Sequence, residues 1–113
     1  MIIISSSETK KIQASNSTAI WEFLTDDRDI SGAVAEIKGR YPENGFALNQ
    51  KSKEIAFVIA GTGHVLTPKQ RRLLKVGDLI FLDAGESFAC EGTLTIFIAT
   101  SPAFDPKQHI LTS

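Results

Sequence analysis

The sequence is short of several features that would assign it to a class at once. Of its 113 residues only one, Cys90, is a cysteine, which excludes an internal disulfide and a cysteine-based zinc cluster. A lone thiol is typical of a reducing compartment, so we expect a cytoplasmic protein. The apolar run at the start, residues 1–4, is too short for a signal peptide or a membrane-spanning helix.

An excess of charge of one sign is also missing. Twelve Lys and Arg stand against thirteen Asp and Glu, which leaves a net charge of -1. No overall field therefore attracts nucleic acid or an anionic membrane, and we expect neither as a partner. The one basic cluster, Lys69 to Arg72 with Lys75 nearby, lacks a glycine-rich loop and interleaved aromatics, so we interpret it as a solvated turn.

What the chain does contain is enough apolar content, 42% of its residues, to close one core. No repeat, low-complexity run or linker interrupts it, so we predict one domain, residues 1–113. The apolar runs are short, rich in Val, Ile, Phe and Thr, and separated by Gly, Pro, Asn or Asp. This pattern predicts an all-β sandwich or barrel.

Eleven runs are predicted as strands: 2–4, 11–14, 19–24, 33–37, 46–49, 54–60, 63–66, 71–75, 79–82, 87–90 and 94–100. The segment 16–24 is also compatible with a helix capped by Ser17 or Thr18, but Trp21 beside Ile20 favours a strand.

Two motifs with fixed spacing lie in the centre of the chain. Glu54 is followed by six residues and Gly61, and fifteen residues later come Gly77-Asp78, an apolar strand, Asp83-Ala84-Gly85 and then Phe88. This order resembles the two motifs of the cupin family and covers about residues 39–100. The resemblance implies a small antiparallel jelly-roll β-barrel with a cavity open at one end, and usually a dimer.

The three histidines of the family motifs are absent here. Their positions fall on Ala47, Asn49 and Phe88, so of the family's four metal-ligand positions only Glu54 keeps its usual residue. One carboxylate and one amide are too few donors for Fe, Ni, Cu or Zn. We therefore predict a site with no metal or other cofactor. A metal-dependent oxygenase or isomerase would need unusual ligands.

Strand alternation predicts the wall of the pocket, because side chains two residues apart share a face. If Asn49 and Glu54 point inward, their neighbours at even spacing do as well, and Phe88 occupies the place of an imidazole without coordinating. The predicted pocket consists of Tyr41, Ala47, Asn49, Glu54, Ala56, Val58, Phe88 and Cys90. Such a chamber suits a small, partly apolar ligand.

Glu54 has two interpretations. It is either a general base whose pKa is raised by apolar walls, or a carboxylate satisfied by Asn49, Tyr41 or backbone amides. Asn49 either orients a ligand or saturates Glu54. Tyr41 either forms the rim of the pocket or packs on a loop as an ordinary aromatic residue.

We assign no reactive role to the cysteine or to the two histidines. Cys90 has no predicted inward His or Lys to lower its pKa, so we expect an inert core thiol. His64 and His109 lie far apart in sequence and off the motif positions. We expect both to be surface residues.

The first functional hypothesis is a metal-independent cupin-like protein that binds a small molecule. The alternative is an isomerase or epimerase that acts on a sugar-like or small metabolite with Glu54 as acid/base. For such enzymes the resemblance implies an inward His and an acid opposite, usually Tyr, and the motifs here supply no such His. A barrel that serves only as an interaction partner is a further possibility if Phe88 plugs the cavity.

Apolar residues occupy both faces of the segments EIAFVIAG and LTIFIAT. One small barrel cannot bury both faces, and homodimer interfaces are more apolar than ordinary surface. We therefore expect a homodimer.

Overall fold

The computed structural model describes residues 1–112 and shows an all-β chain with antiparallel pairing throughout. Its strands are β1 (Lys10–Ser15), β2 (Thr18–Phe23), β3 (Ser31–Tyr41), β4 (Phe46–Asn49), β5 (Lys53–Leu66), β6 (Arg71–Lys75), β7 (Leu79–Leu82), β8 (Ala89–Ser101) and β9 (His109–Thr112). Helical structure in this part of the chain is limited to two three-residue 3-10 turns, Ser6–Glu8 and Pro106–Gln108. Neither turn could span a membrane.

The predicted strands need three corrections. Residues 2–4 form no strand, and β9 was not predicted. The runs 54–60 and 63–66 join into β5, and the runs 87–90 and 94–100 join into β8, which begins at Ala89. The glycines between these runs do not end the strands, because the β5–β8 ladder continues through a register shift between Val58 and Ala60. The segment 16–24 contains β2, which confirms the strand interpretation.

The strands form two sheets. The main sheet has the order β1-β2-β3-β8-β5-β6, with β7 on the first half of β5, and the second sheet is the pair β4-β9. A single bridge between Ala47 and Phe88 connects them outside the named strands. The all-β antiparallel prediction is confirmed. A closed barrel is not, because within residues 1–112 β1 and β6 remain edges and the sheets do not close by hydrogen bonds.

The core lies on the inner face of the main sheet, where alternate residues of β3, β5 and β8 point. Ile37, Val58, Leu94 and Ile96 are each at most 4% exposed. Cross-strand register aligns them in rows across the sheet, so that each row packs against the next. The same face carries the polar residues of the candidate site.

Three glycines stand side by side across β3, β8 and β5: Gly39 pairs with Gly92, and Gly92 pairs with Gly63. A Cβ on Gly63 would lie 2.2 Å from the carbonyl oxygen of Glu91, and one on Gly92 would lie 2.6 Å from the Gly63 Cα. Only glycine permits such a close approach of the strands. The ends of β3 and β8 beyond this row carry Tyr41 and Cys90.

Candidate functional site

A cavity of about 330 Å³ opens on the inner face of the main sheet. Its walls are mostly apolar and come from β1, β2, β3, β5, β7, β8 and the C-terminal segment. The polar side chains on the wall are Thr18, Glu22, Ser31, Tyr41, Glu54, Thr100 and His109. A cavity with apolar walls and few polar groups is typical of a small-molecule site.

Glu54 is the buried acid of this cavity. It is 9% exposed, and its Oε1 accepts a hydrogen bond of 3.3 Å from Asn49 Nδ2. Burial raises the pKa of Glu54 to about 7, although hydrogen bonds from Asn49 and Thr100 partly oppose this shift. Near neutral pH the Glu54 carboxyl group therefore exchanges between its protonated and ionised forms, as a general acid/base requires.

Glu54 belongs to a chain of hydrogen bonds with three other side chains. Tyr41 Oη lies 2.8 Å from His109 Nε2, and His109 Nδ1 lies 2.8 Å from Asn49 Oδ1. Asn49 then donates to Glu54. The ring of Phe104 meets that of His109 edge-on, with 5.6 Å between the ring centroids, and so fixes the plane of the imidazole.

The donors in this chain all point toward Glu54. Because the Asn49 amide donates through Nδ2, its Oδ1 must accept, and His109 Nδ1 must carry the proton. In a neutral imidazole the other nitrogen, Nε2, then accepts from the hydroxyl of Tyr41. A proton gained at His109 Nε2 would reverse this last bond and leave the Tyr41 hydroxyl free to donate into the cavity.

Burial sets the charge states of both aromatic partners. It raises the pKa of Tyr41, with a further increase from the nearby Glu54 charge, so the phenol stays protonated. It lowers the pKa of His109, so the imidazole is neutral at neutral pH. The site thus combines a carboxyl group that can accept a proton, Glu54, with a hydroxyl group that keeps its proton and donates a hydrogen bond, Tyr41.

The C-terminal segment brings His109 to the site. Strand β9 pairs with β4, and His109 is directly opposite Asn49 in this register. The preceding Gln108 is 5% exposed, accepts hydrogen bonds from the amides of Lys51 and Ser52, and donates to the Ser52 hydroxyl. This anchor holds the segment against the rest of the chain.

The prediction that His109 is a surface residue was therefore wrong. His109 is half-buried and lines the cavity, because β9 pairs with a strand 60 residues away in sequence. Nothing in the polar segment DPKQH signals that partner. The expectation that no histidine points into the pocket was wrong for the same reason.

The predicted pocket divides into two groups. Tyr41, Glu54, Ala56, Phe88 and Cys90 line the cavity. Ala47, Asn49 and Val58 are buried, at 0, 4 and 0% exposed, but do not line it. Asn49 forms hydrogen bonds with His109 on one side and Glu54 on the other, which favours the interpretation that it saturates Glu54.

Phe88 and Cys90 form part of the cavity wall and have no reactive role. The cavity beside Phe88 is open, so the ring does not plug it. Burial, with a smaller increase from the Glu54 charge, raises the pKa of the Cys90 thiol to about 12. A thiol that stays protonated is a poor nucleophile and a poor metal ligand.

The residues of the site do not suit the transition metals that the cupin resemblance suggests. No three His, Cys, Asp or Glu side chains of residues 1–112 converge in a way that could hold an ion. His109 already uses both ring nitrogens, on Tyr41 and Asn49. The donor set does not fit a first-row metal, which needs three or four free donors.

The fold, unlike the sequence, has clear counterparts. No protein-family model matches the chain, and no curated protein matches it. Solved structures do match across nearly the whole length, at low sequence identity. One is Pac13 from Streptomyces, a nucleoside dehydratase, with a TM-score of 0.88 and 12% identity over 99% of this chain and 91% of that chain. Variants of Pac13 are also known in complex with uridine.

Two further structures extend the match. Ectoine synthase from P. lautus has a TM-score of 0.78 and 15% identity, over 100% of this chain and 91% of that chain. An RmlC-like cupin from Shewanella frigidimarina has a TM-score of 0.72 and 18% identity, over 92% of this chain and 93% of that chain. The antiparallel sheets, the inner cavity and these matches together identify the fold of this chain as that of the cupins.

Proposed function

We propose that the protein is a metal-independent acid-base enzyme that binds a small metabolite in the cavity and uses Glu54 to move a proton. The observation that carries the proposal is the link from Tyr41 through His109 and Asn49 to Glu54, which places an acceptor and a donor of protons on one cavity wall. Metal independence is proposed from the donor set, since no three His, Cys, Asp or Glu side chains of residues 1–112 converge on an ion site.

The roles follow from the charge states of the residues. The ionised Glu54 takes a proton from a substrate carbon next to an electron-withdrawing group and becomes a carboxylic acid. It then returns that proton to the same or a neighbouring atom, so Glu54 ends in its starting state. Tyr41 stabilises the oxygen that gains charge in between when its hydroxyl proton turns from His109 Nε2 to that oxygen. Isomerisation consists of these two transfers, and dehydration begins with the first. Epimerisation needs the same two transfers with the proton returned to the opposite face of the carbon, after the planar intermediate has turned over in the cavity.

The ligand that we propose is a compact, ring-containing metabolite such as a sugar or a nucleoside. Its ring would lie against the apolar walls, and its hydroxyl groups would meet the polar side chains of the cavity. The structural likeness to Pac13, which acts on a nucleoside, makes uridine the first compound to test.

Deuterium transfer from solvent tests the enzyme directly. The protein is incubated in D₂O with uridine and with common aldoses, and carbon-bound protons are followed by NMR. We expect one carbon position to gain deuterium or to lose its proton signal on elimination. Glu54→Gln should slow this proton exchange at least about 100-fold. Glu36 is an acid on the outer face of β3, so Glu36→Gln should leave the rate unchanged. An unchanged rate in the Glu54→Gln variant contradicts the proposal.

A binding protein without turnover is the second candidate, and the predominantly apolar wall favours it. In that case Glu54 serves as a hydrogen-bonding group for the ligand. Uridine or an aldose would then raise the melting temperature of the protein, and no carbon-bound proton would exchange. A lone buried thiol suits a reducing compartment, so for either candidate we propose the cytoplasm.

We further propose that two copies pair through the outer face of the main sheet. The large apolar residues exposed on this face are Ile55, Phe57, Ile59, Leu79, Phe81 and Phe97. Contiguous exposed apolar area of this kind marks an interaction surface. A two-fold contact would place Phe57 and its neighbours against their equivalents.

The mass in solution tests the pairing. We expect light scattering to give twice 12.3 kDa for the natural protein and 12.3 kDa for Phe57→Glu, because the buried carboxylates would repel. Thr62→Glu, on the same strand and the same outer face but beyond the exposed apolar residues, is the control and should stay paired. A natural protein that is monomeric at millimolar concentration refutes the pairing.

A further inference from the structure

Charge of one sign dominates the cavity wall. Glu22 on β2 and Glu54 on β5 line the cavity, and no lysine or arginine of residues 1–112 does. His109 is the one titratable base on the wall, and burial lowers its pKa, so it adds no positive charge at neutral pH. The apolar walls limit screening by water and salt, so the field in the cavity is negative.

Glu22 is free to act on a ligand. It makes none of the ion pairs found among the described residues. Lys10 is its direct partner in the β1–β2 register, but Lys10 is exposed and does not line the cavity. Across the sheet, Glu22 on β2 is three strands away from Glu54 on β5. Along the strands, the two residues are one row of inward side chains apart. Both acids line the same cavity, so the charge of each acts on a ligand bound there.

The wall also lacks the other means of binding an anion. Proteins hold phosphate with arginine, lysine or the free amides of a helix N-terminus. The one helical turn at the wall is Pro106–Gln108, and the Asp105 side chain already accepts from the Lys107 amide there. A phosphate or carboxylate would enter this cavity without a partner.

We infer that the cavity selects its ligand by charge, accepting uncharged or amine-bearing compounds and rejecting phosphorylated or carboxylated ones, with Glu22 and Glu54 as the specificity-determining residues. The inference rests on the proposed function, since it concerns the ligand of the same cavity. It narrows the ligand to a sugar or nucleoside, as opposed to a sugar phosphate or nucleotide.

Hydroxyl groups remain available for an uncharged ligand. Thr18 lines the cavity, and its Oγ1 has no hydrogen-bond partner among residues 1–112. Tyr41 and the two acids can donate to or accept from ligand hydroxyls. These groups recognise a neutral, hydroxyl-bearing compound, and none of them compensates a negative charge.

A series of three compounds on one scaffold tests the selection. Uridine, its 5′-amino-5′-deoxy analogue and uridine 5′-phosphate carry a neutral, a positive and a negative group at the same position. Titration calorimetry at pH 8, where Glu54 is ionised, should give the tightest binding for the amine and the weakest for the phosphate. We expect the phosphate to bind at least about tenfold more weakly than uridine.

Variants assign the effect to the two acids. Glu22→Gln should reduce the gap between uridine and its phosphate at least about threefold, and Glu22→Gln combined with Glu54→Gln should reduce it further. Glu36→Gln removes the same charge from the outer face and should leave the gap unchanged. A change in uridine affinity without a change in the gap would contradict the charge effect.

The outcomes separate this inference from the proposed function. Equal affinity for uridine and its phosphate, or no binding of any of the three compounds, overturns the charge selection. Selective binding of uridine with no proton exchange in D₂O rejects the acid-base enzyme and leaves the charge selection supported. Proton exchange in D₂O together with equal affinities for uridine and its phosphate supports the acid-base enzyme and overturns the charge selection.

Discussion

The two faces of strand β5 differ, because the inward side chains are smaller and buried, whereas the outward side chains are larger and exposed. Glu54, Ala56 and Val58 point inward and are 9, 3 and 0% exposed. Their outward neighbours Ile55, Phe57 and Ile59 are larger and more apolar, yet they are 40, 43 and 47% exposed. The face that is most hydrophobic is therefore the one in contact with solvent, and the acid lies on the buried face.

Strand β8 repeats the contrast. Ile96 points inward and is 4% exposed, whereas the adjacent Phe97 points outward and is 39% exposed. Small inward residues leave space for a cavity, and large outward residues form the exposed apolar area through which we propose that two copies pair. Hydrophobicity alone thus does not tell the inside of this sheet from the outside, because the exposed outward side chains are as apolar as the buried inward ones.

Among the substitutions that compare the two faces, Glu54→Gln should change the free energy of unfolding the most. Between pH 4.5 and about 7 the folded state holds a proton on Glu54 that the unfolded state releases, so the free energy of unfolding falls as the pH rises. Gln cannot ionise. We expect urea unfolding to show the variant about 3 kcal/mol more stable than the natural protein at pH 8, with no gain at pH 4.

The outward neighbour supplies the control for this measurement. Ile55→Gln lies on the exposed face, so its effect should be the same at pH 4 and pH 8. If Glu54→Gln shows no gain between these two pH values, Glu54 is ionised without penalty and the inner face is wetter than its burial indicates.

Val58 and Ile59 provide a matched pair without charge. Val58→Ala removes two buried methyl groups and should lower the free energy of unfolding by about 2 kcal/mol. Ile59→Ala removes more carbon from the exposed face and should cost less than about 1 kcal/mol in the monomeric Phe57→Glu background. A larger cost for Ile59→Ala in that background would show that the outer face packs within one chain.

Local alternation was sufficient to find the inward face. Side chains on a strand change sides at every residue, so fixing Glu54 fixed Ala56 and Val58, and the structure buries all three. The motif spacing predicted the cupin fold, which the structural matches confirm, although the sheets do not close into the predicted barrel. The spacing is informative because the turns near Gly77 and Asp83 flank β7 and let it pair with β5.

Pairing between distant strands could not be predicted in this way. His109 reaches the site because β9 pairs with β4, and no local pattern in the sequence marks that partner. Likewise, Gly61 and Gly63 are as compatible with a turn as with a bulge, and only the continuous ladder with β8 shows that β5 runs through them. The part of the site made by long-range contacts was therefore missed.

The smallest effect that tests the inner face is the coupling between Tyr41 and His109. Tyr41→Phe removes the hydroxyl that donates to His109 Nε2, and His109→Leu removes the acceptor from the other side. In a double-mutant cycle of urea unfolding, we expect the two changes to be non-additive by about 1 kcal/mol, the usual contribution of one hydrogen bond. His64→Leu replaces the other histidine, which lies outside this network, and should be additive with Tyr41→Phe. Additivity for His109→Leu as well would mean that the 2.8 Å contact contributes nothing in solution, and that His109 does not hold the Tyr41 hydroxyl on the wall that carries Glu54.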